Sequence, residues 1–143
     1  MAITREEVAA LAEAFWETAR CGGAAPDQAA FFLFEARVYV LETGATFSME
    51  EHERFHAQFD EEEHVLGDLV VVPLSDEPER ARATGTVYWR ARYRDRSRGE
   101  IRAVVGEDFV VERAPSGEVR FVLYLNTFHH FLPGAEGGGI AKA

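Results

Sequence analysis

The sequence predicts an α+β fold in which helices come first and long strands follow. Before residue 60, apolar side chains recur at three- and four-residue spacing, which is typical of amphipathic helices. Over residues 80–93, apolar and polar residues alternate without a break, which is typical of a strand with one buried face. Because the two patterns occupy separate parts of a 143-residue chain, we expect one domain over residues 1–143. Its ordered core should cover about 4–132, with a loose tail at 134–143.

Three helices are predicted in the first part of the chain. The first covers about 4–20, where Thr4 and Glu7 match a capping box. The second is short, about 27–34, and the third covers about 48–59. All three carry an apolar face that must be buried against another layer.

Five strands are predicted, one short and four long. The short strand, at 37–41, lies between the second and third helices. The long strands follow the third helix, at about 65–74, 80–93, 101–112 and 118–131. Pro115, Ser116 and Gly117 form the turn of a hairpin between the last two strands.

Composition and charge exclude several classes of protein. The net charge of −10 repels nucleic acids and anionic membranes, so we expect neither as a partner. No stretch is long and apolar enough for a membrane span, and the first residues lack a signal-peptide pattern, so we expect a cytoplasmic protein. Cys21 is the only cysteine, which excludes an intrachain disulfide and a multi-cysteine metal site.

Basic residues concentrate in one segment. Residues 80–102 contain eight arginines against Asp95 and Glu100, so this segment carries a charge of +6 and the remainder of the chain −16. The expected reading is a solvated strand face whose arginines pair with acidic neighbours. The alternative is an anion-binding stripe.

The order of elements resembles the nuclear transport factor 2-like superfamily. Three helices, a short strand before the third, and four long strands ending in a hairpin give that order, with Gly44 and Gly117 at the turns. The superfamily includes SnoaL-like polyketide cyclases and ketosteroid isomerases, and the resemblance covers about residues 4–132. It implies a cone-shaped fold in which a strongly bent, mostly antiparallel sheet wraps around three N-terminal helices. It also implies an apolar pocket at the mouth of the cone and a homodimer formed through the sheet.

The catalytic groups of the isomerases are not retained at the matching positions. Phe15 or Trp16 stands where the isomerases have an oxyanion-hole tyrosine, and Val40 or Leu41 stands at the general base. Phe109 replaces the second oxyanion-hole acid. The chain therefore looks like a relative without the isomerase site.

Glu107 is the first candidate for chemistry in the expected pocket. It lies within an apolar strand, on the face that the resemblance directs into the pocket. A carboxyl group there is desolvated, its pKa is raised, and it can serve as a general acid or base. The alternatives are a bulge that turns Glu107 to water, or an ion pair with an arginine on the neighbouring strand.

The last strand supplies further pocket candidates. Val122, Tyr124, Asn126 and Phe128 alternate on one face, which the resemblance directs inward. The other face is also largely apolar, so we expect a dimer partner to cover it. We expect the remaining pocket wall to come from Trp16, Trp89 and Phe109, although large aromatic residues are more often simply core residues.

His52, Glu53 and His56 match the H-E-x-x-H zinc pattern on the third helix, with Glu62 or His64 as a third ligand. The charged Arg54 inside the pattern argues against such a site. We therefore predict no bound metal and no cofactor, and place His52 and His56 beside the apolar stripe. His56 remains a second candidate acid or base at the edge of the pocket.

These observations favour a protein that holds a small apolar or aromatic molecule in one largely apolar pocket. The alternative is a SnoaL-like or isomerase-like enzyme that uses Glu107 or His56 for acid/base chemistry in that pocket. Less favoured are a structural dimerisation module with a self-filled pocket and a zinc hydrolase. The sequence does not identify the ligand or the reaction.

Overall fold

A computed structural model describes residues 2–133 of the chain, and the tail expected at 134–143 lies outside these residues. Helices and strands follow one another as predicted, with one additional strand. The helices are α1 (Arg5–Ala19), α2 (Ala25–Ala29) and α3 (Met49–His56), and a 3-10 turn lies at Arg96–Arg98. The strands are β1 (Arg37–Val40), β2 (Ala45–Ser48), β3 (Phe59–Asp76), β4 (Glu79–Tyr93), β5 (Glu100–Arg113) and β6 (Val119–Phe131).

The helices begin where the sequence predicts capping. Thr4 with Glu7 and Ser48 with Glu51 form reciprocal capping boxes at the starts of α1 and α3. The helix predicted over 27–34 is wrong in its second half, because α2 ends at Ala29. The following residues pair with β6 instead, through two backbone hydrogen bonds between Phe121 and the segment at Phe31 and Leu33.

The strands within residues 2–133 form one open sheet in the order β2-β1-β6-β5-β4-β3. β1 runs parallel to β6, and all other neighbouring pairs are antiparallel. The three helices cover one side of this sheet, as the predicted cone-like α+β fold requires. The strand β2 was not predicted, because only four residues separate the turn at Gly44 from α3.

β3 is longer than the apolar run at 65–74 that predicted it. It begins at Phe59 and includes the acidic residues Glu61 and Glu63. These residues lie opposite Arg92 and Arg90 of β4. Opposite charges on neighbouring antiparallel strands stabilise strand pairing. An apolar pattern alone therefore does not predict the acidic first part of β3.

Two bulges in β6 change which of its side chains face the core. The register against β5 shifts between Val110 and Val111 and between Gly106 and Glu107. As a result Phe121, Tyr124 and His129 are buried, while Phe128 is 40% exposed. The prediction that Val122 and Phe128 share the inward face is therefore wrong, because a bulge reverses the alternation of a strand.

The arginine-rich segment forms ion pairs on the outer face of the sheet, as expected. Arg80 pairs with Glu112 at 2.6 Å and Arg82 with Asp108 at 2.7 Å. Arg90, Arg92 and Arg96 pair with acidic residues of β3, and Arg90 also reaches Glu100. No helix in residues 2–133 is long and apolar enough to cross a membrane.

Candidate functional site

A largely apolar cavity lies between the helices and the core-facing side of the sheet. Its volume is about 50 Å³, which has room for about one or two water molecules. A ring-sized ligand therefore fits only if a wall side chain moves. The wall consists of Trp16, Ala19, Val38, Val40, Phe47, His52, Phe55, His56, His64, Val87, Trp89, Val105, Glu107, Tyr124, Asn126 and His129.

Most of the predicted site residues reach this cavity. Trp16, Trp89, Tyr124 and Asn126 line it, together with both acid/base candidates, Glu107 and His56.

Phe109 and Val122 are not among the lining residues, so the structure does not bring them to the predicted pocket. Phe109 packs beneath Tyr124, with ring centroids 4.7 Å apart, and Val122 lies at the bulge in β6.

Glu107 points inward because β5 keeps its alternation up to the bulge beside Gly106. The residue is 4% exposed, and Asn126 Nδ2 donates a 2.8 Å hydrogen bond to its Oε2. Burial raises the pKa of Glu107 well above its ordinary value of 4.5, and the hydrogen bonds with Tyr124 and Asn126 offset this only in part. Burial thus favours the neutral form of Glu107, which can donate a proton, or accept one after ionisation.

Tyr124 connects Glu107 to the helical layer. Trp16 Nε1 donates a 2.8 Å hydrogen bond to Tyr124 Oη, so the tyrosine's own hydroxyl proton is directed elsewhere. Burial raises the pKa of Tyr124 well above 10, and the neighbouring Glu107 raises it further. Tyr124 therefore keeps its proton and acts as a hydrogen-bond donor in the cavity.

A second buried carboxyl group has the opposite electrostatic environment. Glu62, which is 5% exposed, accepts hydrogen bonds from His56 Nδ1 at 2.7 Å, Trp89 Nε1 at 3.0 Å and the Cys21 backbone N–H at 2.8 Å. Burial alone raises the pKa of Glu62, but the charge of His56 and the hydrogen bonds from His56 and the Cys21 backbone outweigh it and lower the pKa. Glu62 is therefore ionised and holds the His56 ring in place.

His56 is also in contact with His52. The two Nε2 atoms are 3.1 Å apart, and His52 Nδ1 lies 2.7 Å from the side-chain oxygen of Gln28. Burial lowers the pKa of His52 well below 6.5, and the neighbouring His56 lowers it further. His52 is thus neutral and forms the middle of a chain from Gln28 to Glu62.

The zinc pattern has a structural explanation. Glu53 accepts a 2.8 Å hydrogen bond from the backbone N–H of Ala25 and so fixes the start of α2 against α3. His56 uses Glu62 as a hydrogen-bond partner. In the part of the chain from 2 to 133, no group of three or more potential metal ligands has a geometry that could hold a metal ion.

His64 and Trp16 separate the cavity from a larger polar cleft of about 430 Å³ on the outside of α1 and β3. Both cavities share Trp16 and His64 in their walls, whereas Glu62 lines only the polar cleft. The His64 ring stacks on Trp16 at 5.1 Å, and burial lowers its pKa to about 3. The ring is held by stacking on Trp16 and Trp89.

Sequence reasoning missed several residues of the site. Gln28 is completely buried on the short helix α2, where nothing in the local pattern indicates a polar contact. His129 was not among the predicted site residues, yet the bulge turns it inward, and its Nδ1 lies 2.9 Å from Glu42. Glu62 was considered only as a metal ligand. Its place one residue after Glu61 in an alternating strand does indicate the opposite, inward face.

Comparison with known proteins finds similarity at the level of structure. No family model and no curated protein matches the sequence. A protein of proposed aromatic ring hydroxylase activity from Novosphingobium aromaticivorans superposes with a TM-score of 0.72 at 16% identity, covering 96% of each chain. A proposed dehydratase of the nuclear transport factor 2-like family from Streptomyces avermitilis gives 0.63 at 17% identity, covering 85% of this chain and 93% of the other. The hexachlorocyclohexane dehydrochlorinase LinA type 2 gives a TM-score of 0.68 at 14% identity, covering 93% of this chain and 91% of the other.

Together with the helices and the open six-stranded sheet, these likenesses identify the fold of this chain as nuclear transport factor 2-like.

Proposed function

We propose that the protein binds a small, largely apolar molecule in the central cavity and catalyses an elimination reaction on it. In this proposal Glu107 and His56 exchange protons with the substrate. The apolar wall supplies affinity, while Tyr124 and Asn126 orient a polar group of the substrate.

The observation that carries this proposal is the contrast between the two buried carboxyl groups. The pKa of Glu107 is raised by burial, whereas the pKa of Glu62 is lowered by His56 despite burial. Active sites that use acid/base chemistry often contain two titratable groups whose environments shift their pKa values in opposite directions. Here one wall of the cavity carries Glu107 and the helical wall carries the imidazole that Glu62 holds.

The proton balance of an elimination can be written with these groups. One group removes a proton from carbon, the C–H electron pair forms the double bond, and the leaving group departs with its bonding pair. The second group protonates a leaving hydroxyl group, so that water is released. The active form therefore has Glu107 ionised as the base and His56 protonated as the acid. A bell-shaped pH dependence of turnover is expected, because one group must have lost its proton while the other has kept it.

Elimination is the chemistry that two of the similar structures have in common. A dehydratase removes water and a dehydrochlorinase removes hydrogen chloride, and each reaction loses a proton and a leaving group. The fold alone does not determine the reaction, so the similarity to these two proteins serves only to choose which compounds to test as substrates.

The test begins with native mass spectrometry of freshly purified protein, which reports any small molecule that is retained. Turnover is then followed by NMR with small β-hydroxy ketones and chlorinated alicyclic compounds. We expect E107Q to lose about 100-fold or more in turnover while it still binds, since acid/base catalysis contributes about 10²–10⁴-fold.

The matched control is D108N. Asp108 is the next residue of β5 but pairs with Arg82 on the outer face of the sheet, so its loss should leave turnover unchanged. Equal turnover by E107Q and the unmodified protein would contradict the proposed role of Glu107.

Binding without turnover is the second candidate function. It is favoured by one observation: both ring nitrogens of His52 and of His56 already have partners within the protein. A retained molecule in the mass spectrum, with no conversion of any compound in the panel, would support it.

A further inference from the structure

We propose that Gln28 is a positioning residue that determines where protons reside in the chain His52, His56 and Glu62, and that it keeps His56 doubly protonated. The role of His56 in catalysis rests on the function proposed above. The proton arrangement itself rests on the hydrogen-bond geometry, together with the neutral state of the buried His52 and the ionised state of Glu62.

The orientation of the Gln28 amide is determined by a backbone carbonyl. Gln28 Nε2 donates a hydrogen bond to the Gly23 carbonyl oxygen, which can only accept. The reverse orientation would bring two acceptor oxygens into contact. The side-chain oxygen of the fully buried Gln28 therefore faces His52.

This oxygen selects the tautomer of His52. Since Gln28 Oε1 accepts and lies 2.7 Å from His52 Nδ1, that nitrogen must carry the proton. His52 is neutral because burial lowers its pKa, so its Nε2 has a free lone pair. The lone pair points at His56 Nε2, 3.1 Å away.

His56 must then donate from both ring nitrogens. Its Nε2–H donates to the His52 lone pair, and its Nδ1–H donates to the ionised Glu62 at 2.7 Å. Glu62 also accepts N–H groups from Cys21 and Trp89, which fill its acceptor sites and keep it charged. The resulting imidazolium–carboxylate pair is neutral overall within the wall of the cavity.

The groups packed around His56 are consistent with one positive charge at this point. From β3 it is faced by Glu62 and His64, from α3 by His52, and from β4 by the Trp89 ring. Of these, Glu62 alone is charged, because burial keeps His52 and His64 neutral. The positive charge on His56 thus balances Glu62 and no other group.

The consequence for the site is that His56 carries a proton on Nε2, which is donated to the His52 lone pair until a stronger acceptor replaces it. Without the acceptor at position 28, His52 is free to carry its proton on Nε2 instead. His56 Nε2 would then accept rather than donate, and the chain would hold one proton fewer. Gln28 thereby acts through His52, without contacting a substrate.

The test uses protein with ¹⁵N-labelled histidine and long-range ¹H–¹⁵N NMR at neutral pH, which distinguishes protonated from unprotonated ring nitrogens. In the unmodified protein we expect His52 to carry its proton on Nδ1 and His56 to be protonated on both nitrogens. In Q28L we expect His52 to gain an Nε2 proton and His56 to lose its own. In Q28E the pattern should be retained, because this fully buried position favours the protonated carboxyl group, whose O–H donates to the Gly23 carbonyl oxygen while its other oxygen accepts from His52.

Two results would overturn the proposal: a proton on His52 Nε2 in the unmodified protein, or unchanged nitrogen resonances in Q28L. If Q28L does not fold, the spectrum of the unmodified protein decides the matter. A purely structural role of Gln28 would destabilise both variants without changing the tautomers. Failure to find turnover leaves these resonances unaffected, so the two proposals fail separately.

Discussion

At the scale of single residues, the cavity depends on a few buried polar groups whose charges are fixed by their neighbours. The family resemblance directed Glu107 into the pocket, while the sequence alone left a bulge or an ion pair open, and the structure places Glu107 inward. His56 was also identified, but Glu62 as its partner was not, because a contact between α3 and β3 depends on the packing of two elements. Gln28 was not predicted, because the sequence of a five-residue helix does not indicate which groups its side-chain amide contacts.

His64 makes stability depend on pH. Burial lowers its pKa to about 3, whereas in the unfolded chain it takes up a proton near its ordinary value of 6.5. Between these pH values the unfolded chain binds more protons than the folded chain, so the free energy of unfolding falls as the pH falls. In H64Q, the free energy of unfolding should decline less steeply between pH 6.5 and 4, by up to about 1.4 kcal/mol per pH unit.

Urea denaturation at several pH values measures this difference. The control is H130Q, since His130 is exposed on β6 and should leave the slope unchanged. Parallel pH profiles of H64Q and the unmodified protein would show that His64 ionises freely in the folded state.

At the scale of elements, the two bulges of β6 decide which residues enter the site. They bring Phe121, Tyr124 and His129 inward and turn Phe128 out. Strict alternation predicts the residues near one end of a strand, but a bulge reverses everything beyond it. The four long strands and the capped helices were therefore predictable, whereas the faces of β6 and the strand β2 were not.

Gly106 lies at one of these bulges, beside Glu107. A methyl group at this position would overlap the Thr127 hydroxyl and the Phe128 ring. G106A should lower the free energy of unfolding by about 1–3 kcal/mol, the usual cost of overpacking, in urea denaturation. Adding F128A should recover part of this loss, and a loss below about 0.5 kcal/mol in G106A would contradict the bulge geometry.

At the scale of the whole molecule, one face of the sheet is covered by helices and the other is exposed. Across the strands of the exposed face, Val72 lies beside Arg82, Val110 and Leu123 in one row. Val70, Val72 and Leu74 are each more than half exposed. An exposed row of apolar residues around ion-paired arginines is typical of a surface that a second copy of the chain covers. We therefore propose a homodimer through this face.

V70D tests this assembly. Val70 lies opposite the uncharged Thr84, so the new carboxylate is an unpaired buried charge if the face is an interface. We expect its dimer dissociation constant, measured by analytical ultracentrifugation, to rise about tenfold or more. F34D is the control, because Phe34 is equally exposed but lies outside the sheet. An unmodified protein that is monomeric at all concentrations would exclude the dimer.

The most direct test of the proposed function is the titration of Glu107 itself, which requires no substrate. In protein labelled with ¹³C at glutamate side-chain carboxyls, the chemical shifts report each group as the pH changes. One carboxyl group should titrate well above 4.5 because burial raises the pKa of Glu107, and this signal should be absent in E107Q and present in D108N. If every glutamate titrates at or below its ordinary range, burial does not favour the neutral form of Glu107, and the contrast between the two buried carboxyl groups that carries the proposed function is absent.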